Sequence, residues 1–221
     1  MGGKAKKPAL RTNAEHAGGK RAGPVRKPRA DAQRNRDRLL EVAKAAFADA
    51  GADVSLEEIA RRAGMGIGTL YRHFPTRDAI VEAVYRREVQ QLADSATRLL
   101  KSLPPGEALR EWMRLFVDLI ATKKVIAPAL GSIVGGVSEL YASSSTLITD
   151  AMTLLVERAN ACGDIRLDID PTDLLRALVG LAYVNTGPDW EASARRLIDI
   201  IMDGLQPQKR PAKSPRGSGR G

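Results

Sequence analysis

Cysteine and histidine are scarce in this chain, and their scarcity excludes several classes of protein. Among 221 residues there is one cysteine, Cys162, so no internal disulfide can form and a disulfide-stapled secreted fold is excluded. The two histidines, His16 and His73, lie far apart in the sequence, which argues against a histidine-rich metal site. We therefore expect no metal and no other cofactor.

Aromatic residues and long apolar runs are also rare. Aromatic residues make up 4% of the chain and hydrophobic residues 43%, so the core must consist mainly of alanine, leucine, valine and isoleucine. The longest uncharged stretch of the body, 125–138, has 14 residues and contains a proline and three glycines, whereas a membrane-spanning helix needs about 20 apolar residues. No apolar segment follows the basic N-terminus as in a secretory signal. We expect a cytoplasmic protein with no membrane partner.

Acidic residues are nearly absent from both ends of the chain. Residues 1–38 carry 12 basic and 3 acidic side chains, and residues 206–221 carry 5 basic and no acidic ones. The body between them has 18 basic and 23 acidic residues, a net charge of −5. The segments 1–31 and 207–221 have few large apolar residues, so we predict two disordered basic tails on a mildly acidic body.

The body has the periodicity of amphipathic helices almost throughout, and no alternating strand-like run is convincing. The predicted fold class is therefore all-α. In the first half we expect helices over 32–50, from about 56 to 63, from about 67 to 74 and from about 77 to 102. Ser55 and Glu58 have the spacing of a capping box, and Thr76 can cap the long fourth helix.

The second half is also helical but has fewer sharp boundaries. One apolar stripe runs from Leu109 to Ile120, and the broken stretch 124–137 is expected to form a short helix. Residues 143–146, three serines and a threonine, are expected at the start of a helix that ends near Gly163. Asp170 and Pro171 mark the start of a helix over about 171–186, and the last helix spans about 189–205.

The segment 54–74 consists of two short predicted helices joined by a three-residue turn, 64–66, which is the geometry of a helix-turn-helix. In that motif the second helix lies in the major groove of DNA. Gly66, Gly68 and Thr69 are small residues that allow its N-terminus to approach a phosphate closely. Hydrogen-bond donors follow at Tyr71, Arg72, His73 and Arg77.

This part of the sequence strongly resembles the N-terminal domain of the TetR family of bacterial transcriptional repressors, over about 33–85. The matching residues are Phe47, Gly51 and the stretches 54–60, 63–66, 68–74 and 77–80. A phrase from Gly163 to Leu175 is similar, less specifically, to one found in a group of TetR C-terminal domains. The resemblance implies a sequence-specific DNA-binding regulator with no catalytic residues, and no nucleophile, base or metal constellation appears in the sequence.

The resemblance also implies roles for individual residues. The family's base-reading positions fall on Ile67, Gly68, Thr69 and Tyr71, and its phosphate-contacting positions on Thr69, Tyr71, His73 and Arg77. Arg72 lies at the groove edge or is simply solvated. Leu70 and Phe74 share one helical face and are expected in the core. Gly66 departs from the family, which often has a capping serine or threonine there; glycine keeps the cap geometry without the hydroxyl.

The same resemblance implies the domain organisation and the partners. Residues 32–78 form the DNA-binding domain, and residues 79–206 form a helical ligand-binding and dimerisation domain. The implied protein is a homodimer that pairs through its last two helices, binds a palindromic operator in double-stranded DNA and is released by a small-molecule effector. Tentative members of the effector pocket are Trp112, Met113, Phe116, Met152 and Tyr183.

Several alternatives remain open, among them a ligand-binding protein that has lost DNA binding, which only the glycine at position 66 supports. The basic N-terminal segment is either a solvated tail or an arm that contacts DNA, as similar arms do in other helical DNA-binding proteins. The protein as a whole could instead be an architectural nucleic-acid-binding protein, which would bind unrelated sequences with equal affinity. At helical spacing the five candidate pocket residues could also be ordinary core.

Overall fold

A computed structural model describes residues 2, 28–131, 137–184 and 187–207, and this part of the chain is all-α as predicted. Its eight helices are α1 (Pro28–Ala50), α2 (Leu56–Arg62), α3 (Ile67–His73), α4 (Arg77–Ser102), α5 (Pro105–Gly131), α6 (Val137–Cys162), α7 (Pro171–Val184) and α8 (Trp190–Leu205). None of them combines the length and apolar character that crossing a membrane requires. Over the same residues no group of histidine, cysteine, aspartate and glutamate side chains could hold a metal ion.

The tails predicted to be disordered, 1–31 and 207–221, lie almost entirely outside the described residues. Where they can be compared, the first helix is longer than expected, because α1 begins at Pro28 rather than at residue 32. Asp31 in its first turn pairs with Arg34 one turn later. An acidic side chain near a helix N-terminus and an opposite charge three residues on both favour the helix there.

Helices α1, α2 and α3 share a small apolar core. Its large buried members are Leu39, Leu40, Phe47, Ile59, Leu70 and Phe74. Leu70 and Phe74, expected in the core from their common helical face, are 0% and 1% exposed. Because α3 is only seven residues long, these two anchors determine which of its faces is turned outward.

Helix α4 leaves the DNA-binding part and continues into the second half of the molecule. Thr76 caps it as predicted, with the Ala79 N–H donating to Thr76 Oγ1 at 3.1 Å. In the second half α4 packs against α5 and α6. The Trp112 indole N–H of α5 donates to the Leu92 carbonyl of α4 at 2.9 Å, and the Trp112 ring stacks on Phe116 with centroids 5.8 Å apart.

Ion pairs attach α8 to the outer surface of α5. Asp199 accepts from Arg110 at 3.0 Å and from Arg114 at 2.8 Å, and Arg195 pairs with Asp118. Ala194, Ile198 and Met202 are buried on the same side of α8. One face of α8 therefore packs against its own chain, and the opposite face is available to a partner.

Two predictions about the second half are wrong. The short separate helix expected over 124–137 is not found in the described residues, because α5 continues through Pro128 to Gly131. Ile126 and Leu130 are 1% and 0% exposed, so their burial offsets the helical hydrogen bond that Pro128 cannot donate. Residues 132–136 lie outside the described residues.

Residues 143–146 do not start a helix but lie inside α6, which begins at Val137. Their hydroxyl groups donate to carbonyls of the preceding turn: Ser144 to Leu140 at 2.7 Å, Ser143 to the same carbonyl at 3.1 Å, and Thr146 to Ala142 at 3.3 Å. A serine or threonine that bonds backward in this way is satisfied in a helix interior, where sequence alone favours a terminus.

Candidate functional site

Helix α2 is fixed by its cap and by a cluster of charges. The Glu58 N–H donates to Ser55 Oγ at 3.1 Å, which is the predicted half of the capping box. The Glu58 carboxylate instead accepts from Arg61 at 2.7 Å and from Arg62 at 2.8 Å. These hydrogen bonds, first from Arg61 and then from Arg62, lower the pKa of Glu58 from an ordinary 4.5 to about 2. Arg62 also pairs with Asp49 of α1 at 2.9 Å, so the cluster ties α2 to α1.

The turn between α2 and α3 depends on a glycine. Gly64 has a φ of +68°, in the left-handed region that L side chains rarely adopt. The N–H groups of Gly64 and Met65 donate back to the Arg61 and Ala60 carbonyls at 3.0 and 2.9 Å, which satisfies the end of α2. The chain then reverses direction into α3 and forms the predicted helix-turn-helix.

Helix α3 presents one apolar face to the core and the other to solvent. Ile67 is 36% and Tyr71 45% exposed, whereas Leu70 and Phe74 are buried. Gly66, Gly68 and Arg72 are exposed as well, whereas Thr69 and His73 are partly exposed. The seven exposed and partly exposed residues just named are all predicted DNA contacts. The fold therefore brings seven of the eight predicted contacts onto one short, accessible helix and its cap.

The two glycines at the start of α3 leave open space around the backbone. A Cβ atom at Gly66 or at Gly68 would meet no other atom within 4 Å. Gly66 is the N-cap, with φ −69° and ψ 145°, and no side chain caps this helix. Neither glycine is required by backbone strain or by packing within the chain. Close approach of this helix N-terminus to a phosphate, which small residues allow, stays a prediction.

Arg77, the eighth predicted DNA contact, makes a hydrogen bond within the chain. Its Nη1 donates to the Val54 carbonyl at 2.7 Å, just ahead of α2, and its Nη2 is buried without a partner among the described residues. The side chain thus joins the start of α4 to the start of the helix-turn-helix. The structure therefore gives Arg77 a contact within the chain, and its predicted contact with a phosphate stays a prediction.

Arg36 is a neighbour of the recognition helix that the sequence did not single out. Its guanidinium carbon lies 5.0 Å from the centroid of the Phe74 ring, within the range of a cation–π contact. The signal for it is weak, because a basic residue in the first turns of α1 is indistinguishable from a solvated one. The contact places a positive charge of α1 beside the end of α3.

A cavity of about 340 Å³ lies in the second half of the molecule, between α4, α5, α6 and α7. Tyr85 enters it from α4, Lys123 from α5 and Tyr141 from α6. The rings of Tyr85 and Tyr141 meet edge to face, with centroids 5.8 Å apart. Burial raises the pKa of both tyrosines, so their hydroxyl groups remain protonated at neutral pH and can donate hydrogen bonds.

Two of the five tentative pocket residues, Phe116 and Tyr183, line this cavity. The other three, Trp112, Met113 and Met152, do not line it and are each 0% exposed in the surrounding core. These three are therefore ordinary core residues, which was the alternative for apolar residues at helical spacing. Sequence reasoning missed Tyr85, Lys123 and Tyr141, although one signal was available, since Lys123 follows Phe116 and Ile120 at the spacing of one helical face.

Helix α4 connects the cavity with the helix-turn-helix. Two and three residues beyond Tyr85, Arg87 and Glu88 contact α1: Arg87 donates to the Asp37 carbonyl at 2.8 Å, and Glu88 pairs with Lys44. The N-terminus of α4 follows α3 after Phe74, Pro75 and the capping residue Thr76. A displacement of α4 at the cavity would therefore be transmitted to α1 and α3.

Comparison with known protein families assigns both halves of the chain. Residues 39–84 match the profile described as "Bacterial regulatory proteins, tetR family". Residues 104–207 match the profile described as "Transcriptional regulator SbtR-like, C-terminal domain". Among curated proteins, the chain is 39% identical over 62 residues to an HTH-type transcriptional regulator of Staphylococcus aureus strain USA300. That match spans 28% of this chain and about a third, 34%, of the relative's length.

Solved structures extend the similarity over most of the chain. A TetR transcriptional regulator from Streptomyces coelicolor is 48% identical, with a TM-score of 0.72, and the match covers 78% of this chain and 99% of that one. A TetR regulatory protein from Mycobacterium vanbaalenii is 36% identical, with a TM-score of 0.68, covering 81% of this chain and 99% of that one. With its helix-turn-helix and a matching C-terminal half, the chain belongs to the TetR family of transcriptional regulators, which bind DNA and are not enzymes.

Proposed function

We propose that this protein is a homodimeric repressor that binds a palindromic operator and is released from it by a small molecule bound in the cavity. One observation carries this proposal. Helix α4 lines the cavity through Tyr85, contacts α1 through Arg87 and Glu88, and begins directly after the recognition helix. Occupancy of the cavity and orientation of the DNA-binding helices therefore depend on one rigid element.

The exposed surface of α3 supplies the proposed DNA contacts. Ile67, Gly68, Thr69 and Tyr71 read base edges, and an apolar side chain such as Ile67 suits the methyl group of a thymine. Thr69, Tyr71 and His73 also bind phosphates, Gly66 lets the helix N-terminus approach one, and Arg72 lies at the groove edge. The basic N-terminal segment adds sequence-independent attraction that weakens with salt.

The two-fold partner is proposed to pack on α7 and α8. Val184 of α7 is 86% exposed and Ile200 of α8 is 65% exposed in the single chain. Large apolar side chains this exposed on neighbouring helices favour burial against a second copy. A two-fold dimer presents its two recognition helices about 34–36 Å apart to successive major grooves, which requires two half-sites of matching sequence.

The proposed release mechanism is a shift between two populations of the dimer. One form spaces the recognition helices for the operator, and the other does not. An effector that fits the cavity better in the second form lowers the affinity for DNA only by the ratio of its affinities for the two forms. By reciprocity, the operator must weaken effector binding by the same factor.

The decisive experiment is fluorescence anisotropy at near-physiological salt, with a duplex from upstream of the protein's own gene and a scrambled duplex of equal length. A sequence-specific repressor is expected to prefer the first duplex by at least about a hundredfold, which is within the range of specific over non-specific binding. The bound duplex then serves as the reporter in a screen for compounds that release it.

Equal affinity for the two duplexes is the result expected of an architectural nucleic-acid-binding protein. In that case a variant without residues 2–27 and 208–221 is titrated against a random-sequence pool. If this variant selects a palindromic sequence, the repressor proposal stands and the operator lies outside the upstream duplex that was tested. Loss of all binding would assign the affinity to the basic tails and refute the proposed function.

A further inference from the structure

Among the described residues, Lys123 is the only lysine or arginine that lines the cavity, and it is placed unusually for a lysine. It lies on α5 in line with the apolar residues Phe116 and Ile120, and its side chain is partly buried. Its ammonium nitrogen is 4.2 Å from the centroid of the Tyr141 ring. Among the described residues no carboxylate lies within ion-pair distance of it.

The adjacent lysine shows that this arrangement is particular to position 123. Lys124 points toward α7 and α8, where its ammonium group donates to the Ala182 carbonyl at 2.6 Å and lies 4.1 and 5.6 Å from the centroids of the Trp190 and Tyr183 rings. Lys124 thus joins α5 to α7 and α8. Lys123 makes no hydrogen bond of this kind to the described part of the chain, so its donors remain available to the cavity.

The surroundings of Lys123 disfavour an unpaired positive charge. Burial alone lowers the pKa of Lys123, and no acidic side chain opposes that effect. A desolvated cation is stabilised when an anion takes the place of the lost water, and a carboxylate would also accept its hydrogen bonds. Tyr141 and Thr149 line the same cavity and carry hydroxyl groups, whereas the hydroxyl of Tyr85 is hydrogen-bonded to Ser144.

Most of the remaining lining is apolar. Phe116, Ile120 and Leu175 contribute rings and branched side chains, and the volume of about 340 Å³ is that of a site for a small organic molecule. A fully polar anion would leave this surface without contacts. An uncharged apolar molecule would leave Lys123 without a partner.

We infer that the cavity binds an apolar monocarboxylic acid, with its carboxylate paired to Lys123 and its hydrocarbon body against Phe116, Ile120 and Leu175. The inference rests on the proposed function only in taking this cavity as the effector site. It names the chemical class of the effector: a fatty or aromatic acid, distinguished from the neutral alcohol of the same shape by one charge.

The test uses two matched pairs of probes: octanoate with 1-octanol, and 2-naphthoate with 2-naphthalenemethanol. Isothermal titration calorimetry measures the binding of each to the full-length protein in the absence of DNA. At least one carboxylate is expected to bind about tenfold or more tightly than its alcohol, as a charge-assisted hydrogen bond requires. No carboxylate binding, or equal affinity for acid and alcohol in both pairs, would overturn the inference.

Variants then test whether the preference belongs to Lys123. Lys123→Met keeps the length of the side chain without its charge and should lose the preference for the acid while still binding the alcohol. Lys123→Arg should retain the preference. Lys101→Met, at the exposed end of α4, removes one charge from the surface and should change neither value. A preference that persists in a folded Lys123→Met protein would contradict the assignment.

Operator release is measured separately, by adding the bound carboxylate to the anisotropy experiment. If octanoate or 2-naphthoate binds through Lys123 but leaves the operator complex intact, the ligand class stands and ligand-induced release fails. If no acid binds yet the operator is recognised, the ligand class fails and the repressor remains. The two proposals are therefore tested independently.

Discussion

Tyr71 is the residue on which the proposed DNA contact depends most directly. It is 45% exposed on the outer face of α3, whereas the inward face is already occupied by Leu70 and Phe74. A large aromatic side chain exposed on so short a helix contributes little to the core. We propose that its size and its phenolic hydroxyl are used when α3 enters the major groove.

Tyr71→Ala should therefore weaken operator binding by roughly 1–3 kcal/mol and reduce sequence preference, while the free energy of unfolding changes by about 0.5 kcal/mol or less. Anisotropy titrations and chemical denaturation measure the two effects. Leu147→Ala, at a position of α6 that is 38% exposed, is the control and should bind the operator like the wild type. Wild-type affinity in Tyr71→Ala would remove this residue from the groove.

Gly66 offers a second test at the same scale, because nothing in the chain requires glycine there. Gly66→Ser should supply the missing side-chain cap of α3 and raise the free energy of unfolding by a few tenths of a kcal/mol. Its hydroxyl also lies where a phosphate would be bound, so operator affinity should rise. Both effects are measured by denaturation and anisotropy.

Gly66→Ala is the matched control, since it fills the same open space without a hydroxyl. Alanine is a poor N-cap, so this variant should be less stable than the wild type. If serine and alanine have the same effect on both stability and affinity, the hydroxyl does not act as a cap or as a phosphate ligand.

Among the elements, α2 keeps the Ser55 cap, and a charge cluster at Glu58 replaces the second half of the expected capping box. The pKa of Glu58 is about 2, below its ordinary 4.5, because Arg61 and Arg62 bind its ionised form. A carboxylate with a lowered pKa contributes stability that is complete above about pH 4.5 and is lost as the pH falls toward 2. The cluster is exposed, so its contribution is small.

Glu58→Gln should therefore be less stable than the wild type at neutral pH, and the difference should shrink as the pH falls from about 4.5 to 2. Urea denaturation at a series of pH values measures it. Glu57→Gln is the control, because Glu57 lies in the same helical turn and has no ion pair among the described residues. A difference between wild type and Glu58→Gln that is constant with pH would contradict the role of the cluster.

Some helix boundaries can be predicted from the sequence, and others cannot. The caps at Ser55, Thr76 and Asp170 are correctly predicted because a cap is a contact between residues two or three apart. The second half of the capping box was missed because Glu58 had competing partners, the two arginines one turn later. Propensity alone could not show that α5 passes through Pro128, since the burial of Ile126 and Leu130 against other helices decides it.

At the scale of the whole molecule, the exposed apolar side chains of α7 and α8 predict the assembly. One face of α8 is held to α5 by Asp199 and Arg195, and Ile200 faces away at 65% exposure. Exposing these apolar side chains to water does not stabilise a single chain. A second copy that covers it would also set the distance between the two recognition helices.

Ile200→Arg should raise the dimer dissociation constant by about tenfold or more, equivalent to about 1.4 kcal/mol, because a charge would be buried at the two-fold contact. Sedimentation velocity over a range of concentrations measures it, and operator affinity should fall in parallel. Leu103→Arg, at an exposed apolar position between α4 and α5, is the control and should leave the dimer unchanged. An unaltered dimer in Ile200→Arg would place the interface elsewhere.

The sequence alone predicts the fold class, the position of the helix-turn-helix and the face of α3 that carries Tyr71. These features depend on periodicity, caps and glycines, which act over a few residues of the chain. The tertiary structure alone decided the cavity, because Tyr85, Lys123, Tyr141 and Tyr183 come from four helices and meet only when those helices pack. It also assigned Trp112, Met113 and Met152 to the core, since a helical stripe has the same spacing whether it faces a ligand or another helix.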